Sequence, residues 1–175
     1  MPSRFFSPLL SAAFIACALT SAPANAQASA QADPLTLDPA IRFDASLSDL
    51  SATFDRLCTG YEARTLDPAE LPIAEHSHVQ VDCEGFDHAG AARLAEFVFA
   101  DDRLAFIWVL TEASEEAGHL ASMRAKYGEP SHDTPLVVAF THERTALRRD
   151  IPEFLYYSDT IAPIYQGWFD QMAAQ

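Results

Sequence analysis

The sequence predicts an α+β fold of two layers, in which an antiparallel sheet of about five to six strands carries about three helices. Three stretches repeat apolar residues every three or four positions, as one face of a helix does. Shorter stretches are apolar throughout or alternate with period two, and short turn sequences separate most of them. Such turns favour antiparallel neighbours, and the predicted order along the chain is α-β-β-β-α-β-β-β-α.

The helices are recognised by their apolar stripes and by their terminal residues. The first covers residues 46–60 and begins with Ser46 and Asp49, a variant of the capping box. The second covers residues 114–127 and is followed by a glycine that can end it. The third, over residues 160–172, has the clearest apolar stripe in the chain.

The predicted strands differ in how many of their faces are apolar. Residues 78–84 alternate, so that Val79, Val81 and Cys83 share one face and polar side chains share the other. Residues 104–110 are apolar on both faces, which indicates the middle of a sheet. The other predicted strands cover residues 94–100, 136–141, 145–148 and 153–157.

The N-terminal sequence is typical of a secretory signal peptide over residues 1–26. Arg4 precedes the apolar run of residues 9–19, and small residues then stand at the −3 and −1 positions of a cleavage site. The run is shorter than the ~20 residues that cross a bilayer as a helix, so we expect no transmembrane anchor. The leader therefore predicts export to the periplasm or the exterior.

Lipidation of Cys17 is an alternative fate of this leader. Residues 14–17 resemble the lipobox of bacterial lipoproteins, which would make the protein an outer-membrane lipoprotein. That box usually opens with leucine, and Cys17 lies inside the apolar run rather than after it. Simple cleavage is therefore favoured.

Composition divides the rest of the chain into a linker and one domain. Residues 27–45 are rich in alanine, glutamine, aspartate and proline, which predicts a flexible linker. Residues 46–175 are enough for a single domain with its own core. Within that domain, residues 65–75 include two prolines and are expected to be irregular.

The chain of 175 residues carries 25 acidic and 11 basic residues, giving a formal net charge of −14 at pH 7. Such a surface repels the phosphates of nucleic acids and the head groups of anionic lipids. We therefore predict no nucleic-acid partner. Solubility alone would also account for the charge.

Two cysteines remain beyond the leader, Cys58 and Cys83. In an exported chain they most simply form one disulfide, which would bring the first helix to the strand of residues 78–84. The alternative is a nucleophilic or redox-active thiol. The chain has no C-x-x-C motif to support redox chemistry.

His76 and His78 are the candidate metal ligands. Residues i and i+2 of a strand face the same way, so their imidazoles could reach one zinc ion. A third ligand would have to come from another element, and His88 and His142 are the nearest candidates. The alternative is that the two histidines lie on the solvated side of a strand.

No catalytic residues are predicted. The chain lacks G-x-S-x-G, and His142-Glu143 begins a zincin-like motif that fails because position 146 is alanine. A hydrolase whose residues come from distant positions remains an alternative that one sequence does not expose.

Aromatic residues and arginines are the remaining candidates for binding. Trp108 and Tyr156 fall in predicted strands, and Arg144 and Arg148 belong to the one basic cluster. Tyrosine, tryptophan and arginine are enriched where proteins bind partners. We therefore predict a non-enzymatic domain that binds an envelope protein or a small ligand on its sheet. The alternative is that all the strand aromatics are core residues.

Overall fold

An eight-stranded antiparallel sheet and three α-helices form residues 33–174, the part of the chain that the computed structural model describes. The helices are α1 (Leu47–Leu57), α2 (Glu116–Tyr127) and α3 (Ala162–Ala173). The strands are β1 (Gly60–Leu66), β2 (His78–His88), β3 (Ala91–Ala100), β4 (Arg103–Leu110), β5 (His132–Asp133), β6 (Val137–Phe140), β7 (Thr145–Arg148) and β8 (Glu153–Tyr157). The predicted α+β class is confirmed, with more strands than expected.

Two meanders share the sheet. Strands β1 to β4 are successive neighbours, and after α2 the strands β5 to β8 form the second meander, so that the spatial order is β1-β2-β3-β4-β8-β7-β6-β5. β4 and β8 join the two halves, with Trp108 opposite Leu155. Asp101 and Asp102 have positive φ values of 50° and 58°, as the two-residue turn between β3 and β4 requires.

The first face of the sheet packs against α1 and α2. Leu50 and Phe54 of α1 are each 1 % exposed, and Met123 of α2 is fully buried. Alternate residues of the central strands complete this core: Val81, Cys83, Phe97, Phe99, Ile107, Val109, Phe154 and Tyr156. The helix α1 starts at its predicted cap, where the backbone N–H of Asp49 donates to the hydroxyl of Ser46.

The predicted disulfide is present between Cys58, directly after α1, and Cys83 of β2. The two Cα atoms are 5.3 Å apart, and the bond joins residues separated by 25 positions. The valine face of β2 therefore points toward α1, as the alternation of the sequence predicts.

The second face is covered in part by α3, so the sheet has helices on both sides and the fold has three layers rather than the predicted two. Phe169 of α3 is fully buried over this face. The cause lies in the strands that it covers, because β6 and β8 are buried along their whole length and need apolar partners on both faces. The sheet residues buried in this second core include Val137, Ala139, Ala146, Leu155 and Tyr157.

Two strands were not predicted, β1 and β5. β1 has the sequence GYEARTL and is exposed over almost its whole length, so it lacks the alternation that identifies a half-buried strand. β2 is also longer than predicted, because Gly85 forms a bulge and the strand then continues. At Gly85 φ is +70°, and a Cβ atom would lie 2.5 Å from the Thr59 side chain, so only glycine fits.

Residues 33–45 pack against the domain, so the prediction of a flexible linker is wrong for this part of residues 27–45. Leu35 is 2 % exposed and belongs to the first core. Its carbonyl oxygen accepts a hydrogen bond from the hydroxyl of Tyr127, and the backbone N–H of Ala89 donates to the carbonyl of Pro34. The composition of this segment predicted a flexible linker, but its few apolar residues pack against the first core.

The predicted signal peptide, the lipobox-like sequence at Cys17 and residues 27–32 of the linker lie outside the described residues. Among residues 33–174, no helix combines the length and the apolar character that a membrane span needs.

Candidate functional site

A row of directly opposed residues crosses the strands on the second face. Its members are apolar where α3 covers the sheet and mostly charged where it does not. Its first four members are Glu62, Asp82, Glu96 and Trp108, each directly opposite the next on β1 to β4. The row continues under α3 with the apolar residues Leu155, Ala146 and Ala139. We call the charged part of this surface the open face: Glu62, Arg64, Gln80, Asp82, Glu96, Trp108, Arg148 and Glu153.

Trp108 stands at the boundary between the open face and the second core. Its indole is half-buried, and its ring centroid lies 6.4 Å from that of Tyr165 in α3. On the other side, the guanidinium carbon of Arg148 is 5.7 Å from the indole centroid, within the range of a cation–π contact. The structure therefore brings together two of the four residues predicted for binding, Trp108 and Arg148.

Arg148 is held in place by two carboxylates. It donates to Asp150 at 2.8 and 2.9 Å and to Glu153 at 2.9 Å. These hydrogen bonds, led by those to Asp150, raise the pKa of the guanidinium further. Arg148 is therefore fixed beside the indole of Trp108, and its charge is already compensated within the chain.

Glu96 lies on the opposite side of Trp108 and has a different environment. Burial raises the pKa of its carboxyl group, and the negative charge of Asp82 raises it further. For Asp82, burial works in the same direction, but hydrogen bonds from Arg64 and Gln80 prevail and lower the pKa. Arg64 thus pairs with Asp82, at 2.7 and 3.0 Å, whereas Glu96, directly opposite Trp108, is affected more weakly by Arg64 and Gln80.

A half-buried carboxylate at the strand position opposite a tryptophan is suited to a cation. The carboxylate supplies the negative charge, and the ring supplies a polarizable surface that attracts ammonium or guanidinium groups. The arrangement resembles no covalent catalytic set, because no nucleophile and base are hydrogen-bonded to each other among the described residues of the open face.

Glu153 gives the open face a measurable pH dependence. Burial raises its pKa to about 7 although Arg148 is adjacent. Between pH 4.5 and pH 7 the folded protein therefore keeps a proton on Glu153 that the unfolded chain releases, and this contribution to stability is lost as pH rises. We expect Glu153→Gln, which stays neutral, to gain stability relative to the natural protein between pH 4.5 and pH 8.

Urea unfolding at several pH values tests this expectation. The control is Glu84→Gln, which removes an exposed carboxylate of β2, the strand next to the edge of the sheet. Its unfolding free energy should run parallel to that of the natural protein over the same range. A Glu153→Gln variant that also runs parallel would show that Glu153 is ionised in the folded protein throughout.

Tyr156 lies on the first face, so the structure separates it from Trp108. It is 6 % exposed, and its hydroxyl oxygen is 2.9 Å from Nε2 of His88. Burial lowers the pKa of His88 to about 4, so this imidazole is neutral at pH 7. Tyr156 is thus a core residue. This agrees with the alternative interpretation, in which the strand aromatics belong to the core.

Arg144 lies at the turn between β6 and β7 and forms an ion pair with Asp159. It lines a cleft of about 660 Å³ together with Lys126, Tyr127 and the edge of Tyr156. This cleft lies at the end of the strands and does not reach the open face. Lys126 is already engaged there by Thr36 at 2.6 Å and Asp33 at 3.2 Å.

The predicted metal ligands lie in different environments. His78 begins β2 and is 7 % exposed, with Nδ1 3.4 Å from the carbonyl oxygen of Asp67, whereas His76 precedes the strand and is exposed. The suggested third ligands are elsewhere, since His88 contacts Tyr156 and His142 contacts the carbonyl of Tyr127 at 2.9 Å. Within residues 33–174, no three histidine, cysteine, aspartate or glutamate side chains are grouped to hold a metal ion.

A buried polar cluster beside α2 was not predicted. Arg93 of β3, whose side chain is 5 % exposed, donates to Glu115 at 2.9 and 3.0 Å and to Thr111 at 2.9 Å. The hydroxyl oxygen of Thr111 is also 2.7 Å from Nε2 of His119, whose pKa is lowered by burial. The hydrogen bonds from Arg93 hold the pKa of Glu115 well below its usual range.

The role of this cluster is to connect elements. It ties β3 and the end of β4 to the start of α2, and its polar atoms are turned toward each other. Sequence reasoning could not find it, because its central residue, Arg93, precedes Thr111 by 18 positions and Glu115 by 22. Glu96 was missed for a different reason: it is a single acid in an apolar strand, and that position marks a sheet face only once the register is known.

No family model matches the sequence, and neither a curated protein nor a solved structure is significantly similar to it.

Proposed function

We propose that this protein is an exported, non-enzymatic binding domain whose open face receives a basic segment of a protein partner. The observation that carries the proposal is the row Asp82–Glu96–Trp108, in which Glu96 lies directly opposite the half-buried Trp108 on the neighbouring strand. A lysine or arginine of the partner would lie over Trp108 and pair with Glu96.

Charge complementarity favours a basic partner over an acidic or neutral one. The chain has a net charge of −14, so it attracts basic segments at long range and repels anionic ones. The two arginines of the open face do not alter this preference, because Arg64 is paired with Asp82 and Arg148 with Asp150 and Glu153.

The proposal of export rests on the leader-like N-terminal sequence and agrees with the disulfide between Cys58 and Cys83. Disulfides form and persist in oxidising compartments such as the bacterial periplasm and the exterior of cells. An envelope protein is therefore the partner that we favour.

The two alternatives are less well supported by the geometry. A metal-binding function would need His76 and His78 to leave their present surroundings and to recruit a ligand from another segment. A hydrolase would need a nucleophile and a base in one pocket, and the open face supplies carboxylates beside an aromatic ring instead.

Fluorescence titration tests the site directly. The chain has two tryptophans, so Trp168→Phe leaves Trp108 as the sole indole reporter. We expect a saturable change of its emission with a synthetic arginine–glycine peptide and none with the matching citrulline–glycine peptide, which has the same shape without the charge. Because carboxylate pairing supplies much of the affinity, Glu96→Gln should weaken binding about tenfold.

The matched control is Glu84→Gln, an exposed glutamate on the same strand as Asp82, which should leave the affinity unchanged. Raising the salt concentration to about 0.5 M should weaken binding, because partly exposed charges are screened. Equal responses to both peptides, or equal affinities of Glu96→Gln and the natural protein, would refute the proposed site.

A further inference from the structure

The strand β1 is the long uncovered edge of the sheet. It pairs with β2 on one side, and no other strand of residues 33–174 pairs with its outer side. Six of its seven residues are exposed. The opposite edge, β5, has only two residues and is flanked by α3, where Asp170 contacts His132 at 2.9 Å. Unpaired backbone groups along an edge strand are a template for another strand.

We propose that two copies of this chain associate through β1, in antiparallel orientation, with a two-fold axis at Ala63. The two eight-stranded sheets would then form one continuous sheet. This arrangement pairs all seven residues of β1 with the same seven residues of the second copy.

The charges of β1 select this register. With the axis at Ala63, Glu62 lies directly opposite Arg64 of the second copy, and Arg64 lies opposite Glu62. Antiparallel pairing joins residues whose backbone groups both point outward, so the neighbouring registers are shifted by two. They would place Glu62 opposite Glu62 or Arg64 opposite Arg64, and like charges directly opposite each other are destabilising.

The surroundings of Glu62 support the same register. Within one chain, Glu62 is directly opposite Asp82 of β2, so its carboxylate already faces a like charge. In the proposed pair, Arg64 of the second copy would lie on the other side of Glu62 and offset this repulsion.

The other side of β1 is compatible with close approach. Ala63, at the axis, has the smallest side chain of the strand apart from Gly60. Tyr61 is 41 % exposed and its ring is 5.5 Å from that of Phe54. In the proposed register Tyr61 faces Thr65 of the second copy, an aromatic residue opposite a β-branched one, which is a favourable cross-strand combination.

Sedimentation equilibrium of the oxidised protein over a range of concentrations tests the proposal. We expect a reversible monomer–dimer equilibrium. Glu62→Arg and Arg64→Glu should each weaken dimerisation about tenfold, because each puts like charges opposite each other at two symmetric positions. The double variant Glu62→Arg/Arg64→Glu restores opposite charges in this register and should restore the dimer.

The double variant distinguishes the loss of one specific strand register from a general effect of charge on association. Glu96→Gln, which removes a carboxylate of the open face outside β1, should leave the dimer unchanged. Circular dichroism of each variant verifies that it is folded. A protein that stays monomeric throughout, single variants that dimerise like the natural protein, or a double variant that fails to recover would each overturn the proposal.

Discussion

Replacing Arg93 with alanine is expected to lower the free energy of unfolding by about 3 kcal/mol. The guanidinium is almost fully enclosed and makes a two-fold hydrogen-bonded contact with Glu115, a further bond to Thr111 and one to the carbonyl of His88. Removal would leave the Glu115 carboxylate and the Thr111 hydroxyl without their main donor. The estimate lies at the lower end for a broken buried pair, because Glu115 is 36 % exposed and water can reach it.

Urea unfolding followed by circular dichroism measures this loss. Arg42→Ala provides the control, since Arg42 is exposed and a surface substitution of this kind changes stability by about 0.5 kcal/mol or less. Glu115→Gln should also destabilise the protein, because it leaves the enclosed guanidinium of Arg93 without its countercharge. An Arg93→Ala variant as stable as the Arg42→Ala control would contradict the role assigned to the buried cluster.

Reduction of the Cys58–Cys83 bond is expected to cost the protein about 3 kcal/mol of stability, the value that the chain-entropy model gives for a loop of about 25 residues. The main cause is the larger conformational freedom that the unfolded chain regains. The effect should appear as a lower urea midpoint in the presence of a reductant. The double variant Cys58→Ser/Cys83→Ser should reproduce it.

The double serine variant is also the control for the reagent, because a reductant should not change its midpoint. Cys83 is fully buried, so the serine hydroxyl adds a small penalty of its own in the variant. A natural protein that unfolds at the same urea concentration with and without reductant would show that the bond contributes no net stability.

Local sequence patterns predicted the helices and strands that bury only one of their faces. The stripe of α1 and its cap at Ser46 identify a helix that packs with one face, and the alternation around Val81 identifies a half-buried strand. The pairing of Cys58 with Cys83 followed from the number of cysteines. These features depend on neighbours a few positions apart, so the sequence contains them directly.

The features that escaped prediction depend on pairing between distant segments. β1 is a strand because β2 provides hydrogen-bond partners, and none of its own side chains indicates burial. The location of α3 on the second face follows from the order of the strands. Trp108 and Arg148 were identified as binding candidates by residue type. Only the register of β3 and β4 shows that Glu96 is the neighbour of Trp108.

The disulfide has a topological consequence for the edge of the sheet. The ring that it closes, from Cys58 to Cys83, contains the whole of β1 and the connection to β2. An outermost strand is ordinarily the first to peel away and the easiest to exchange between molecules. Here β1 lies between two residues that are covalently linked, Cys58 and Cys83, so it cannot move far from its own sheet. Domain swapping of this strand is thereby disfavoured, while its outer rim stays accessible.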